Sequence, residues 1–251
     1  MGLLDHCITP NWPAPAHVKA LQTTRLGGVS TAPYDTLNLG LHVGDDPARV
    51  NRNRQSLAPF MPSEPVWLEQ VHGTAVANAD AAACRVVADA CIAWQRGSVC
   101  VVMTADCLPV LLCDEAGTVV GAVHAGWKGL AAGVIEATVG AMDIAPQKLL
   151  AWLGPAIGPE AFEVGAEVRD AFVAHQPQAA EAFLPRPLGD GRGEGEKYHA
   201  DIFLLARQRL YMLGIERIHG GNYCTFHQRD KFFSYRRDGV TGRMGTFIWL
   251  A

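Results

Sequence analysis

The chain has 251 residues, 49% of them hydrophobic, which is ample for one sizeable buried core and argues against disorder. A net charge of −4 with only 18% charged residues excludes the basic footprint of a nucleic-acid or membrane-surface binder, and leaves small molecules as the expected partners. Seven cysteines scattered through apolar runs form no secreted disulfide framework. With no basic segment leading into a long apolar stretch near Met1, the expected compartment is the cytoplasm.

In chain order, residues 23–54 are rich in Gly, Pro, Asn and Asp and predict a long ordered loop with short strands. "EPVWLEQVHGTAV" predicts a strand that breaks at Gly73, with His72 at its end and Gln70 on the same face, either a substrate contact or a plain strand polar residue. "SVCVVMTADCLPVLLCDEAGTVVGAV" holds three apolar runs, the last two joined by a turn at Asp114–Gly117. Residues 129–142 predict one helix, and "QKLLAWLG" a further strand. "LPRPLGDGRGEGEKYH" has the composition of a mobile surface excursion. Asp201 is an N-cap for a helix running to about Leu213 and closed by Gly214, and "IERIHGG" and "GTFIWLA" supply late strands. No repeat or linker divides the chain, so residues 1–251 are expected to form a single mixed α+β domain.

A turn centred between Glu115 and Ala116 sets Cys107 directly opposite His124, with Cβ atoms about 4.5–5.5 Å apart. That is near enough to share a zinc ion, with His72 as a third ligand and one coordination position open to water or substrate, the pattern of a catalytic site. The spacing equally permits a buried cysteine beside two rim histidines. Asp106 alternates away from Cys107 and is expected to be structural, as are Cys224, a small apolar filler, and Trp127, an anchor for the following helix.

The segments "TTRLGGVSTAPYDTLNLGLHVGDDP…NRNR", "WLEQVHG", "MTADCLPVLL", "VHAGWKGLAAG", "LGPAIGPEAFEVG" and "NYCTF…FFSYRRDGVTGRMGTFIWL" occur in an order that resembles the YfiH-type laccase-domain family over nearly the whole chain. The resemblance implies a layered α/β/β/α sandwich related to the catalytic domain of cytotoxic necrotising factor. It also implies a zinc-dependent purine nucleoside phosphorylase acting on adenosine, inosine, guanosine and methylthioadenosine, with an adenosine deaminase side activity. The family's metal ligands fall on His72, Cys107 and His124, which the resemblance thus assigns to metal binding and catalysis.

Phosphorolysis needs cations for phosphate and groups that orient the ribose and the leaving base. Candidates for phosphate are Arg25, Arg54, Lys128, Arg236, Arg237 and Arg243, with Arg25 and Arg54 preferred because they flank the glycine-rich loop. Lys128 stands where the family often has arginine, which removes a bidentate fork. The alternative chemistry is hydrolysis by a Cys107/His124 dyad, or editing of a peptidoglycan precursor as described for bacterial relatives. Copper polyphenol oxidation is disfavoured by ligand supply: nine histidines include no His-x-His pair.

Overall fold

A computed structural model describes residues 2–81, 86–186 and 196–251. The elements, in chain order, are β1 (Val18–Gln22), α1 (Pro47–Leu57), β2 (Leu68–Glu69), β3 (Val76–Asn78), β4 (Val86–Val87), β5 (Ala90–Ala93), β6 (Val99–Thr104), β7 (Leu108–Asp114) and β8 (Val120–Ala125). There follow α2 (Trp127–Ala132), α3 (Val134–Met142), β9 (Leu149–Leu153), β10 (Glu163–Gly165), α4 (Ala166–Val173), β11 (Phe183–Pro185), β12 (Lys197–Ala200), α5 (Ile202–Met212), β13 (Arg217–Gly220), α6 (Tyr235–Asp238) and β14 (Met244–Leu250).

The apolar runs of β7 and β8 are buried at every position because they are central strands of a sheet covered on both faces. That mixed six-stranded sheet has the order β13-β9-β7-β8-β5-β3. One face packs against α2 to α5 through Leu108, Val123, Leu130, Ile135 and Leu205. Its other face meets an antiparallel three-stranded sheet, β1-β14-β6, through Cys91, Cys100, Leu111, Ala122 and Ile248. The outer face of the smaller sheet is covered by α1 and the loop before it, where Leu37, Leu39 and Leu57 bury Val101 and Phe247. The expected layered α/β/β/α order is therefore present, with β10-β12-β11 and β2-β4 as small satellite sheets.

Several local expectations need correction. Residues 23–46 contain no strand, and 47–57 form a helix instead, because Asp46 caps the Ala48 N–H and Pro47 occupies the first helical position. Val50, Asn53 and Leu57 are its buried positions. Asn53 then pins the glycine-rich loop, accepting from Val29 N–H and donating to the Ser30 hydroxyl and to the Thr36 and Asn38 carbonyls. The helix foreseen over 129–142 is two helices, α2 and α3, divided at Gly133, whose φ of +95° ends the first. Helix α5 is capped as expected: the Asp201 carboxylate accepts from Phe203 and Leu204 N–H. The core of the foreseen surface excursion, residues 187–195, lies outside the described residues, and its flanks form β11 and β12.

Candidate metal centre

Three loops or strand ends meet at the rim of the six-stranded sheet. His124 lies near the end of β8 and is buried. The β7–β8 register pairs it with Pro109 and not with Cys107, a shift of two residues from the expected pairing. The cause is the turn: the Asp114 carboxylate accepts from Thr118 N–H, Val119 N–H and the Thr118 hydroxyl, while Gly117 takes a φ of +68°, which lengthens the loop. Because side chains alternate with period two, a two-residue shift keeps Cys107 on the face of His124, where a one-residue slip would have removed it.

Cys107 follows Asp106, which takes the left-handed conformation at φ +88°. The buried Asp106 carboxylate accepts from the Thr225 hydroxyl and the Arg236 N–H, tying the β6–β7 connection to the C-terminal segment, a structural role as expected. His72 is in a loop between β2 and β3 and not at the end of a long strand, and its φ is +61°. Its Nε2 is 3.7 Å from Cys107 Sγ, and its ring packs edge-on to His124 at 4.7 Å between centroids.

One donor atom from each of His72, Cys107 and His124 lies within 4.8 Å of the others, the one such cluster of three or more found among the described residues. Bonds of about 2.3 Å to sulfur and 2.0–2.1 Å to nitrogen at a tetrahedral angle place S and N about 3.6 Å apart, close to the Cys107–His72 spacing. Gly126 supports the same reading, since a Cβ there would sit 2.7 Å from His72 Cδ2 and 3.0 Å from Cys107 Sγ. The chain thus keeps side-chain bulk out of the space beside His72 and Cys107.

The electrostatics suit a cation. Burial opposes ionisation of Cys107, but the charge and hydrogen bond of His124, with help from His72, outweigh it and bring the thiol down to about 6. The same pairing, with a hydrogen bond to Asp89, takes His124 up to about 9 against the effect of its own burial. Each of the two groups thus favours the charged form of the other. Asp89 accepts from His124 Nδ1 at 2.8 Å, which leaves Nε2 as the ring nitrogen that could serve a metal.

The other expected site residues divide sharply. Gln70 is engaged elsewhere: its amide donates to the Met103 carbonyl and accepts from the Met103 N–H, both at 2.8 Å, so both ends of the side chain bond β6. Arg25 is ion-paired with Asp35 at 3.1 Å and also donates to the Asp35 and Arg229 carbonyls. It lines a separate recess with Asp35, Arg229 and Asp238. Arg236 donates to backbone carbonyls, Arg237 donates to backbone carbonyls and is ion-paired with Asp238 at 2.7 Å, and Lys128 lies over the Trp127 ring.

Arg54 and Arg243 also donate to backbone carbonyls, Arg243 through Nη1 to those of Thr241 and Gly242, but form no ion pair among the described residues. Arg54 is stacked 3.7 Å from the Trp67 ring and held by the Leu39 carbonyl through Nε and Nη2, and neither arginine has a carboxylate partner among the described residues. Burial pushes Arg54 down to about 10 against the pull of Glu64. Arg243 is also lowered by burial and feels the charges of Cys107 and Asp106. His42 joins them: burial, then the charges of Arg243, Arg54 and His124, lower it. Sequence reasoning missed His42 and Asp89. The one signal for Asp89 is a lone carboxylate in the apolar run "VVADACIAW".

Comparison with known proteins places this geometry. Among curated relatives, "Purine nucleoside phosphorylase YfiH" of Shigella flexneri is 56% identical over 98% of this chain and 100% of that protein. The protein of the same name from Escherichia coli K12 is 55% identical over the same shares. A Neisseria meningitidis crystal structure superposes with a TM-score of 0.89 at 50% identity, covering 98% of this chain and 99% of that one. Bacillus licheniformis YfiH, a hypothetical protein, gives 0.82 at 32% identity over 93% of each chain. The family described as multi-copper polyphenol oxidoreductase laccase matches residues 19–251, and with these relatives it shows that the chain belongs to the YfiH-type laccase-domain family.

Proposed function

We propose that this protein is a zinc-dependent purine nucleoside phosphorylase, with His72, Cys107 and His124 as the metal ligands. The observation that carries the reading is the pairing of a three-donor cluster with two half-buried arginines, Arg54 and Arg243, that lack carboxylate partners among the described residues. Burying a cation is costly, and the charges of Glu64, Cys107 and Asp106 act on these arginines without forming an ion pair among the described residues, so an anionic substrate adds a direct partner. Arg54 and Arg243 are the phosphate-binding residues on this reading, Arg25 and Gln70 are not, and His42 lies within electrostatic range of both arginines and His124. Relatives named purine nucleoside phosphorylase support the substrate class, a purine nucleoside and phosphate.

Bound zinc would supply Lewis acidity toward a substrate oxygen. The chain's own contribution is orientation and charge. Arg54 enters with its fork already fixed by the Leu39 carbonyl and the Trp67 ring, so little side-chain entropy is lost when an anion binds. Arg243, stationed near Cys107 and Asp106, sets a second positive charge beside the donors, where phosphate approaching the anomeric carbon needs it.

The copper reading suggested by the family's description asks for a mononuclear and a trinuclear centre, and three donors in a single described cluster do not supply them. A second reading is favoured by the Cys107 thiolate beside the His124 imidazolium, the resting state of a cysteine hydrolase. The test is chromatography of zinc-replete protein incubated with adenosine, with and without phosphate. Adenine and ribose 1-phosphate formed only with phosphate support phosphorolysis, and inosine reports the deaminase activity. No product in either arm sinks the nucleoside reading. Turnover that survives chelation favours the cysteine dyad.

A further inference from the structure

Asp89 is no ligand of the cluster, yet most of its bonds lead to one. Its side chain is fully buried. Oδ1 accepts from His124 Nδ1 at 2.8 Å and from the His72 N–H at 2.9 Å. Oδ2 accepts from the Gly73 N–H at 2.6 Å and the Val71 N–H at 3.2 Å. The Asp89 carbonyl also accepts from the His124 N–H at 2.7 Å. One residue therefore holds His124 by ring and backbone together, and holds the loop of His72 by three successive N–H groups.

Three consecutive amides converge on a single carboxylate only if the chain between them curls, and φ +61° at His72 is that curl. Such a concave array of N–H groups binds an anion. A left-handed conformation is strained for a non-glycine residue and persists where its surroundings over-determine it. Here the surroundings are one carboxylate.

We infer that Asp89 is the positioning residue of the metal centre, fixing His124 directly and His72 through the backbone of residues 71–73. This rests on the reading of His72, Cys107 and His124 as metal ligands. Holding Nδ1 of His124 presents Nε2 to the metal, and the curled loop brings His72 Nε2 to within 3.7 Å of Cys107 Sγ. An amide at position 89 keeps the volume but turns one acceptor into a donor that faces other donors.

The experiment uses the full chain and Asp89→Asn. Zinc affinity is measured by competition with a chromophoric chelator, and amide hydrogen exchange of Val71, His72 and Gly73 is followed on metal-free protein. Expected are a roughly ten- to hundredfold weaker zinc affinity and faster exchange of those three amides than in the wild type. Equal zinc affinity overturns the inference, whatever the amides do. So does fast exchange of all three amides in the wild type, a measurement that does not require the variant to fold. If the wild type takes up no zinc while exchange responds as expected, the metal reading falls and Asp89 stands as the organiser of the two imidazoles.

Discussion

Substituting Gly126→Ala tests the metal centre without removing a donor. The backbone there has φ −65° and ψ 156°, which any residue adopts, so the only change is the added methyl. Its Cβ would stand 2.7 Å from His72 Cδ2 and 3.0 Å from Cys107 Sγ, against 3.4–4 Å for ordinary contact. Relief therefore needs a displacement of roughly 0.7 Å or more, while metal–ligand bonds tolerate only about 0.2 Å. The His72 side chain is solvent-exposed and can swing outward, so the fold survives and the ligand is lost. Zinc affinity should fall by about a hundredfold or more, with the apo protein unfolding within about 1 kcal/mol of the wild type. Chelator competition and metal analysis on purified protein measure the first quantity, and urea denaturation the second. Gly140→Ala, where a Cβ meets nothing within 4 Å, is the control. Wild-type zinc affinity in the Gly126→Ala variant would refute the placement of the ion between His72 and Cys107.

Other substitutions separate structural from substrate-binding roles. Gln70→Ala should cost about 1–3 kcal/mol in urea denaturation, because it orphans both polar groups of Met103, and should leave the nucleoside KM unchanged; a raised KM at full stability would restore it as a substrate contact. Arg54→Met and Arg243→Met should each raise the phosphate KM tenfold or more, on the scale of a charged hydrogen bond of about 1.5–3 kcal/mol, whereas Arg25→Met should leave it near the wild-type value. Burial pushes the Asp114 carboxyl up, but the N–H groups of Val119 and Thr118 and the Thr118 hydroxyl outweigh it and hold it below the usual range. Its stabilising effect is thus complete above the ordinary carboxylate value of about 3.9 and is lost as pH falls through the lower folded value. Acid denaturation curves of Asp114→Asn should show a shallower loss of stability below pH 4 than the wild type.

What could be read from the sequence follows where burial dominates. The strands β6, β7 and β8 are almost continuous apolar runs, so their pattern shows directly, and the capping carboxylate of Asp201 marks the start of α5 as plainly. The clustering of His72, Cys107 and His124 was legible because each stands at one end of an apolar run beside a glycine or a turn. The register of the hairpin was not, since it depends on how Asp114 folds the turn back on Thr118 and Val119. Helix α1 was hidden because its buried face is narrow and includes Asn53, a polar residue buried for its hydrogen bonds. Gln70 misled because strand alternation was extended into a loop. That Arg25 is ion-paired with Asp35, while Arg54 and Arg243 form no ion pair among the described residues, is a tertiary fact that no local pattern encodes.

The donors sit at positions 72, 107 and 124, on segments that meet only in the folded chain. Closing loops of that length in an unfolded chain carries an entropic penalty, so the denatured ensemble is a poor chelator. Metal occupancy is then coupled to folding itself: free zinc at a hundredfold above its dissociation constant would add about 2.7 kcal/mol to the native state. On the proposed reading of the cluster as a zinc site, the melting temperature becomes a titration curve for the metal.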